Sequence, residues 1–427
     1  MAPYTELGRA ELEALKEKLL ESYGAFQAKN LTLDMTRGKP SPEQLDLAMD
    51  MLTGEISREY KTESGLDCRN YGGLDGIKEA KELFAEYLEV AADEIIVGDS
   101  ASLKMMHDTI MGAMVYGVVD SVQPWGKLPQ VKFLCPSPGY DRHFAVCQYL
   151  GIEMITVAMD ANGPDMDRVE ELVASDDTIK GIWCVPKYSN PTGITYSDEV
   201  IDRLASMKTA AEDFKIFCDN AYAFHHLSDS HDSLKNLFAA CKDNGNHERV
   251  FLYGSTSKIS FAGAGVAMMA GSRKNIEFIL SKMQFQTIGP NKLNQLRHVL
   301  FFKDVAGIEN HMKKHAAILK PKFDAVQDVL EESLGFSSIA EWSKPNGGYF
   351  ISINTLSGCA REVIKKAADA GVKLTPAGAT FPYGQDPEDR NIRIAPSFPS
   401  VEDVKTAMDL VAICIQLVSI EKLLEKV

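Results

Sequence analysis

The sequence predicts an α/β protein: a large domain with a mostly parallel central sheet sandwiched by helices, then a smaller α+β domain. Two observations carry that prediction. Between residues 94 and 271, short apolar runs alternate with helix-like stretches at spacings that fit βαβ units. Within those runs, as in Gly181-Ile182-Trp183-Cys184-Val185, apolar residues follow one another without alternation, as in strands buried on both faces. After residue 276 the pattern turns helical and then returns to strands, which marks a second unit. The 427 residues, 45% hydrophobic and 25% charged, are enough for both. The expected partition is an N-terminal segment, 1–53, packing with the small domain, a large domain over 54–304 and a small domain over 305–427.

Taken in order, residues 6–28 carry apolar positions at helical spacing, with Leu12, Leu15 and Leu19 on one side. Leu33 to Pro42 reads as an irregular segment fixed by Gly38, Pro40 and Pro42. A helix is expected over 42–53, then a glycine-rich turn at Tyr71-Gly72-Gly73 and a helix to about Val90. Strands follow at 94–97, 131–135, 153–157, 181–185, 215–218, 250–253 and 266–270. The methionines at 105, 106, 111 and 114 read as helix core. Helices are expected over 276–287, 290–302 and 305–333. The run 348–353 alternates like a strand with one solvated face, and 372–375 and 392–395 add two more strands. An amphipathic helix over 401–424 ends the chain.

Charge and cysteine usage narrow the function. A formal net charge of −15 argues against a nucleic-acid or anionic-membrane partner. The 8 cysteines form no CxxC pair, and several lie in apolar strands, as buried thiols in a reducing compartment do. With no signal-like start and no apolar run of roughly 20 residues, the expected location is the cytoplasm.

In open α/β sheets ligands bind beyond the carboxyl ends of the strands, so the residues that follow each strand are the place to look. The first strand leads into Gly98-Asp99-Ser100-Ala101-Ser102, hydroxyls at a helix start, which suits a phosphate. Later strand ends bring Asn190-Pro191-Thr192-Gly193, Asp219-Asn220-Ala221-Tyr222 and Ser255-Thr256-Ser257-Lys258. Asn190, Asp219 and Lys258 lie 29 and 39 residues apart. A carboxylate directly after a buried strand is costly without a cationic partner. A lysine there loses hydration, which lowers its pKa and frees the amine as nucleophile and base.

These motifs, in this order, closely resemble those of the fold-type I aminotransferases that use pyridoxal 5′-phosphate (PLP). Thr36-Arg37-Gly38-Lys39-Pro40 and Thr287-Ile288-Gly289-Pro290 are similar to the bacterial aspartate aminotransferase subgroup close to the MocR-type domains. The resemblance spans nearly the whole chain. It implies that Lys258 bonds PLP and moves a proton, that Asp219 keeps the pyridine nitrogen protonated, and that Asn190 and Tyr222 bind the ring oxygen. Tyr140 is the candidate for stacking on the ring. Ser100, Ala101, Ser102, Ser255 and Ser257 would hold the phosphate. Tyr71, and the Thr287 turn with it, would reach the site of the other subunit, which implies a homodimer. Arg393 would fork the substrate α-carboxylate, with Gly38 lying over the substrate. Arg37 is the candidate for a side-chain carboxylate, with Lys39 and Arg142 as alternatives. One departure stands out: where the family commonly has a phosphate-binding arginine, eight positions after the lysine, this chain has Val266.

The expected reaction is a ping-pong amino transfer, with L-aspartate and 2-oxoglutarate as the leading pair. Another amino-acid specificity, a PLP-dependent lyase, and a ligand-sensing PLP domain of a regulator are the alternatives. A metal site at His225, His226, His231 and Asp229 is weighed and set aside, because the tract reads as a solvated loop.

Overall fold

In the computed structural model, which describes residues 3–426, the strands form three sheets. In chain order they are β1 (Leu33–Asp34), β2 (Ile95–Val97), β3 (Lys132–Ser137), β4 (Glu153–Asp160), β5 (Gly163–Pro164), β6 (Ile179–Cys184) and β7 (Lys215–Asp219). Then come β8 (Val250–Ser255), β9 (Ala267–Ala270), β10 (Ala340–Trp342), β11 (Ile351–Thr355), β12 (Val372–Lys373) and β13 (Asn391–Ile394). The eight-stranded sheet has the order β2-β9-β8-β7-β6-β3-β4-β5. Its pairs from β8 through β7, β6 and β3 to β4 are parallel. The carboxyl ends of those strands therefore point to one edge.

Alternation along the central strands explains why both faces must be covered. In β7, Ile216 and Cys218 pack into one core layer and Phe217 into the other; in β8, Leu252 faces the first and Phe251 and Tyr253 the second. The second layer holds an aromatic row across adjacent strands, Phe133, Trp183, Phe217 and Phe251, with ring centroids 5.2 to 6.0 Å apart. Those offset and tilted contacts add to the burial of each ring. A third core joins the N-terminal segment to the C-terminal unit, with Tyr4, Leu12 and Met35 against Phe323, Ile353 and Val411.

Several elements differ from the sequence reading. Ala267–Ala270 runs antiparallel to both neighbours, since its apolar pattern carries no direction. The expected single helix over 42–53 is two short ones, Pro42–Asp46 and Asp50–Thr53, broken by a turn. Within the segment read as irregular, β1 pairs in parallel with β12 and ties the N-terminal segment to the C-terminal unit. β11 is buried on both faces: Ser352, the polar position, is covered and accepts a hydrogen bond from Asn391 Nδ2 (2.8 Å). The last helix spans Val401–Leu424 as expected but is not amphipathic in its second half, where Cys414 through Ile420 are buried in succession, Gln416 and Ser419 included. Among the described residues no helix is long and apolar enough to cross a membrane.

Candidate active site

Asp219 ends β7 and is buried to 3% exposure. Its Oδ2 lies 3.2 Å from His143 Nε2, and its Oδ1 is buried with no partner among the described residues. His143 sits in the helix Asp141–Tyr149 and stacks on Trp183, ring centroids 4.1 Å apart at 7°. The aromatic row of the core thus continues into the site and fixes the imidazole that orients the carboxylate.

Lys258 lies in the loop between β8 and β9, its Nζ 5.1 Å from the centroid of the Tyr222 ring. Burial pushes its amine below the ordinary lysine range, and the Asp219 charge opposes that shift without cancelling it. Tyr222 is buried, and burial drives its hydroxyl well above the ordinary phenol value, with Tyr140 and Asp219 adding to the effect. Tyr140 is half-buried, edge-on to His143 at 4.9 Å, its hydroxyl pushed up to about 12 by burial and by Asp219.

The expected phosphate residues meet although they come from distant strand ends. Ser255 Oγ and Ser257 Oγ are 2.5 Å apart, Ser257 N–H donates to Ser255 Oγ (3.0 Å), and Ser257 Oγ donates to the Ser100 carbonyl (3.2 Å). Ala101 is the N-cap of the helix Ser102–Tyr116 and supplies no side-chain cap, so the first N–H groups of that helix lack an internal partner. A Cβ at Gly265 would lie 3.0 Å from Ser257 N and 3.2 Å from the Ser100 carbonyl, so a side chain there would crowd both walls of the cradle. Val266 is buried, its N–H on Thr256 Oγ1 (2.9 Å), and presents no charge. Arg297 and Lys104 line a cavity of about 1000 Å³ together with Ser100 and Gly265. Lys104 is paired with Asp99 and Asp108.

Arg393, on β13, is 7% exposed and gathers the three parts of the chain. Its Nη1 donates to Asp141 Oδ1 (3.0 Å) and Asn190 Oδ1 (3.3 Å), its Nη2 to the Thr36 carbonyl (3.4 Å), and its Nε to Thr375 Oγ1 (3.3 Å). Phe350 lies under the guanidinium, 5.0 Å from ring centroid to Cζ. Gly38 presses on the same ring: a Cβ there would be 2.5 Å from Phe350 Cζ. Arg37, Lys39 and Arg142 are exposed, and Lys39 Nζ lies over Phe398 at 3.8 Å.

Tyr71 stands apart from these groups and is 82% exposed. Its loop is held by buried Lys292, whose Nζ donates to the Asn70 (2.6 Å) and Gly72 (2.5 Å) carbonyls. The Thr287–Gly289 turn packs on that loop, since a Cβ on Gly289 would meet the Gly72 carbonyl at 2.6 Å. His225 is buried between Tyr222 and Tyr349, whereas His226 and His231 stack on each other at 3.9 Å.

The set fits PLP on its own chemistry. A buried carboxylate oxygen without a partner suits a cationic ring N–H, and an open hydroxyl and N–H cradle suits a phosphate. Sequence reasoning missed His143, Asp141, Phe350 and Lys292. His143 had one available signal, its position three residues beyond Tyr140 at a strand end.

Comparison with known proteins identifies the family. Residues 7–427 match the family described as aspartate amino-transferase. A putative aminotransferase of Mycolicibacterium smegmatis is 49% identical over 99% of each chain. An aspartate aminotransferase of Corynebacterium glutamicum is 45% identical over 95% of this chain and 94% of its own. The crystal structure of an aspartate transaminase from Corynebacterium glutamicum superposes with a TM-score of 0.96 over 99% of both chains, at 43% identity. The chain belongs to the aspartate aminotransferase family and is an aminotransferase.

Proposed function

We propose that the protein is a PLP-dependent aminotransferase that transfers the amino group of L-aspartate to 2-oxoglutarate by a ping-pong route. The observation that carries this reading is the unpartnered Asp219 Oδ1, buried at a strand end in the same site as the desolvated Lys258. When bound, PLP supplies a ring that accepts the electron pair released at the substrate α-carbon.

The protein's own groups do the rest. Lys258 would bond the cofactor, and its amine, with a pKa lowered by burial, would carry the proton to and from the substrate α-carbon. Asp219, oriented by His143, holds the ring N–H. Asn190 and Tyr222 take the ring oxygen and Tyr140 covers the ring face. Ser100, Ala101, Ser102, Ser255 and Ser257 hold the phosphate. Arg393 takes the α-carboxylate and Gly38 lies over the substrate. Arg37 is assigned the second carboxylate, with Lys39 and Arg142 as the other cations at that mouth. The protein works as a homodimer in which Tyr71 and the Thr287 turn complete the partner's site. Within each subunit, 1–53 packs with the small domain, 305–427, beside the large domain, 54–304.

The test is the absorption spectrum of the purified enzyme, reconstituted with PLP, before and after L-aspartate alone. The expected result is a visible band of lysine-bound cofactor that gives way to the pyridoxamine band, then returns on adding 2-oxoglutarate. A band indifferent to aspartate discards that donor, and no band with Lys258 intact discards the PLP reading.

A further inference from the structure

Arg393 offers few free donors. Two of its guanidinium nitrogens are engaged by Asn190 and Thr375, a third contact runs to the Thr36 carbonyl, and the charged partner is Asp141, at 3.0 Å. A substrate carboxylate needs two parallel N–H groups for a fork. Asp141 holds one of the donors such a fork would use, and it holds it by the strongest bond of the set, carboxylate to guanidinium. The aspartate is well placed to let go: it opens the helix Asp141–Tyr149 and its side chain is 33% exposed, whereas Arg393 is fixed at 7%. An unpaired guanidinium buried to that degree is costly, so an empty site gains from a resident anion.

We propose that Asp141 is a resident carboxylate that occupies the substrate-carboxylate seat on Arg393 and swings to solvent when substrate enters. It is an affinity-setting residue: it keeps the buried cation paired in the empty enzyme and lowers the affinity for every carboxylate ligand through competition. The inference rests on the proposed role of Arg393.

The experiment is calorimetric titration of maleate, a non-reacting dicarboxylate, into PLP-loaded wild type, Asp141→Asn, Asp141→Ala and Arg393→Lys, with thermal melts to check folding. Loss of one competing charge is expected to tighten maleate about five- to tenfold in Asp141→Asn. Asp141→Ala should tighten it as well, and Arg393→Lys should weaken it at least as much. Unchanged or weaker binding in both Asp141 variants, with Arg393→Lys impaired, overturns the proposal and leaves Asp141 as a residue that merely orients the arginine. Unimpaired binding in Arg393→Lys overturns the seat itself, and the proposal with it.

Discussion

Asp219 has one oxygen on His143 and the other free, and the two are not equivalent in what they demand. The free oxygen awaits a cation; the bonded one keeps the carboxylate aimed. His143 is therefore a positioning residue, itself aligned by the stack on Trp183. Replacing it with Phe keeps a ring against Trp183 and removes the donor. The buried carboxylate then loses a bond of about 1–2 kcal/mol, so the dissociation constant for PLP is expected to rise roughly tenfold. His143→Gln, with an amide near the Nε2 position, should recover part of that loss. Fluorescence titration of the apoenzyme with PLP reads both. Equal affinity in wild type and His143→Phe removes the orienting role.

At the scale of elements, the Lys258 loop is fastened from behind by the helix Lys292–Phe302. His298 Nε2 lies within hydrogen-bond reach of the Thr256 (3.0 Å) and Ser260 (2.8 Å) hydroxyls, while its Nδ1 donates to the Asn294 carbonyl (2.8 Å). A neutral ring with its proton on Nδ1 fits these contacts. Burial is the main cause that lowers its pKa to about 4, the Asn294 carbonyl opposing and Arg297 adding to it. His315, on the helix Val305–Leu334, falls to about 3 for the same reason, helped by His311. Both folded values lie below the unfolded one, so the stability they allow is present above pH 6.5 and is lost as pH falls, toward 4 for His298 and toward 3 for His315. For His298 alone the loss is on the order of 3 kcal/mol. Denaturant melts of the PLP-loaded enzyme from pH 7.5 to pH 4.5 should show that fall. His298→Gln should flatten it while lowering stability at pH 7.5. An identical pH slope in the two proteins would assign the acid sensitivity elsewhere.

For the molecule as a whole, the candidate site residues at strand ends were legible because each follows an apolar run at βαβ spacing. Strand-end position singled out Lys258, Asp219 and Asn190, and the family resemblance of their motifs supplied the expected roles. The antiparallel course of β9 was invisible, because buried strands of either direction carry the same apolar run. Asp141 and His143 lie in a helix whose own pattern gives no sign of what its first turn touches, and only the nearness of His143 to Tyr140 at a strand end hinted at its place. Lys292 was hidden for another reason: its partners are carbonyls 220 and 222 residues away, and a carbonyl has no sequence signature.

The loop that Lys292 holds leads to the last prediction. Tyr71 is 82% exposed, and exposed Phe285 and Ile288 flank the Thr287 turn that packs on its loop. A large aromatic side chain held out by a buried lysine belongs to a surface that something covers, and the proposed cover is a second copy of the chain. If Tyr71 completes the partner's site, damage to Tyr71 and damage to Lys258 complement each other. In a dimer of Lys258→Ala with Tyr71→Ala, one site lacks both groups, and the other has its own Lys258 and the intact Tyr71 of its partner. Co-expression with two different tags isolates that heterodimer. It should turn over at about half the wild-type rate per dimer, since one of two symmetric sites is whole. The Lys258→Ala homodimer should be inactive and the Tyr71→Ala homodimer impaired. A heterodimer only half as active as the Tyr71→Ala homodimer would place Tyr71 in its own subunit's site and remove the exchange between subunits.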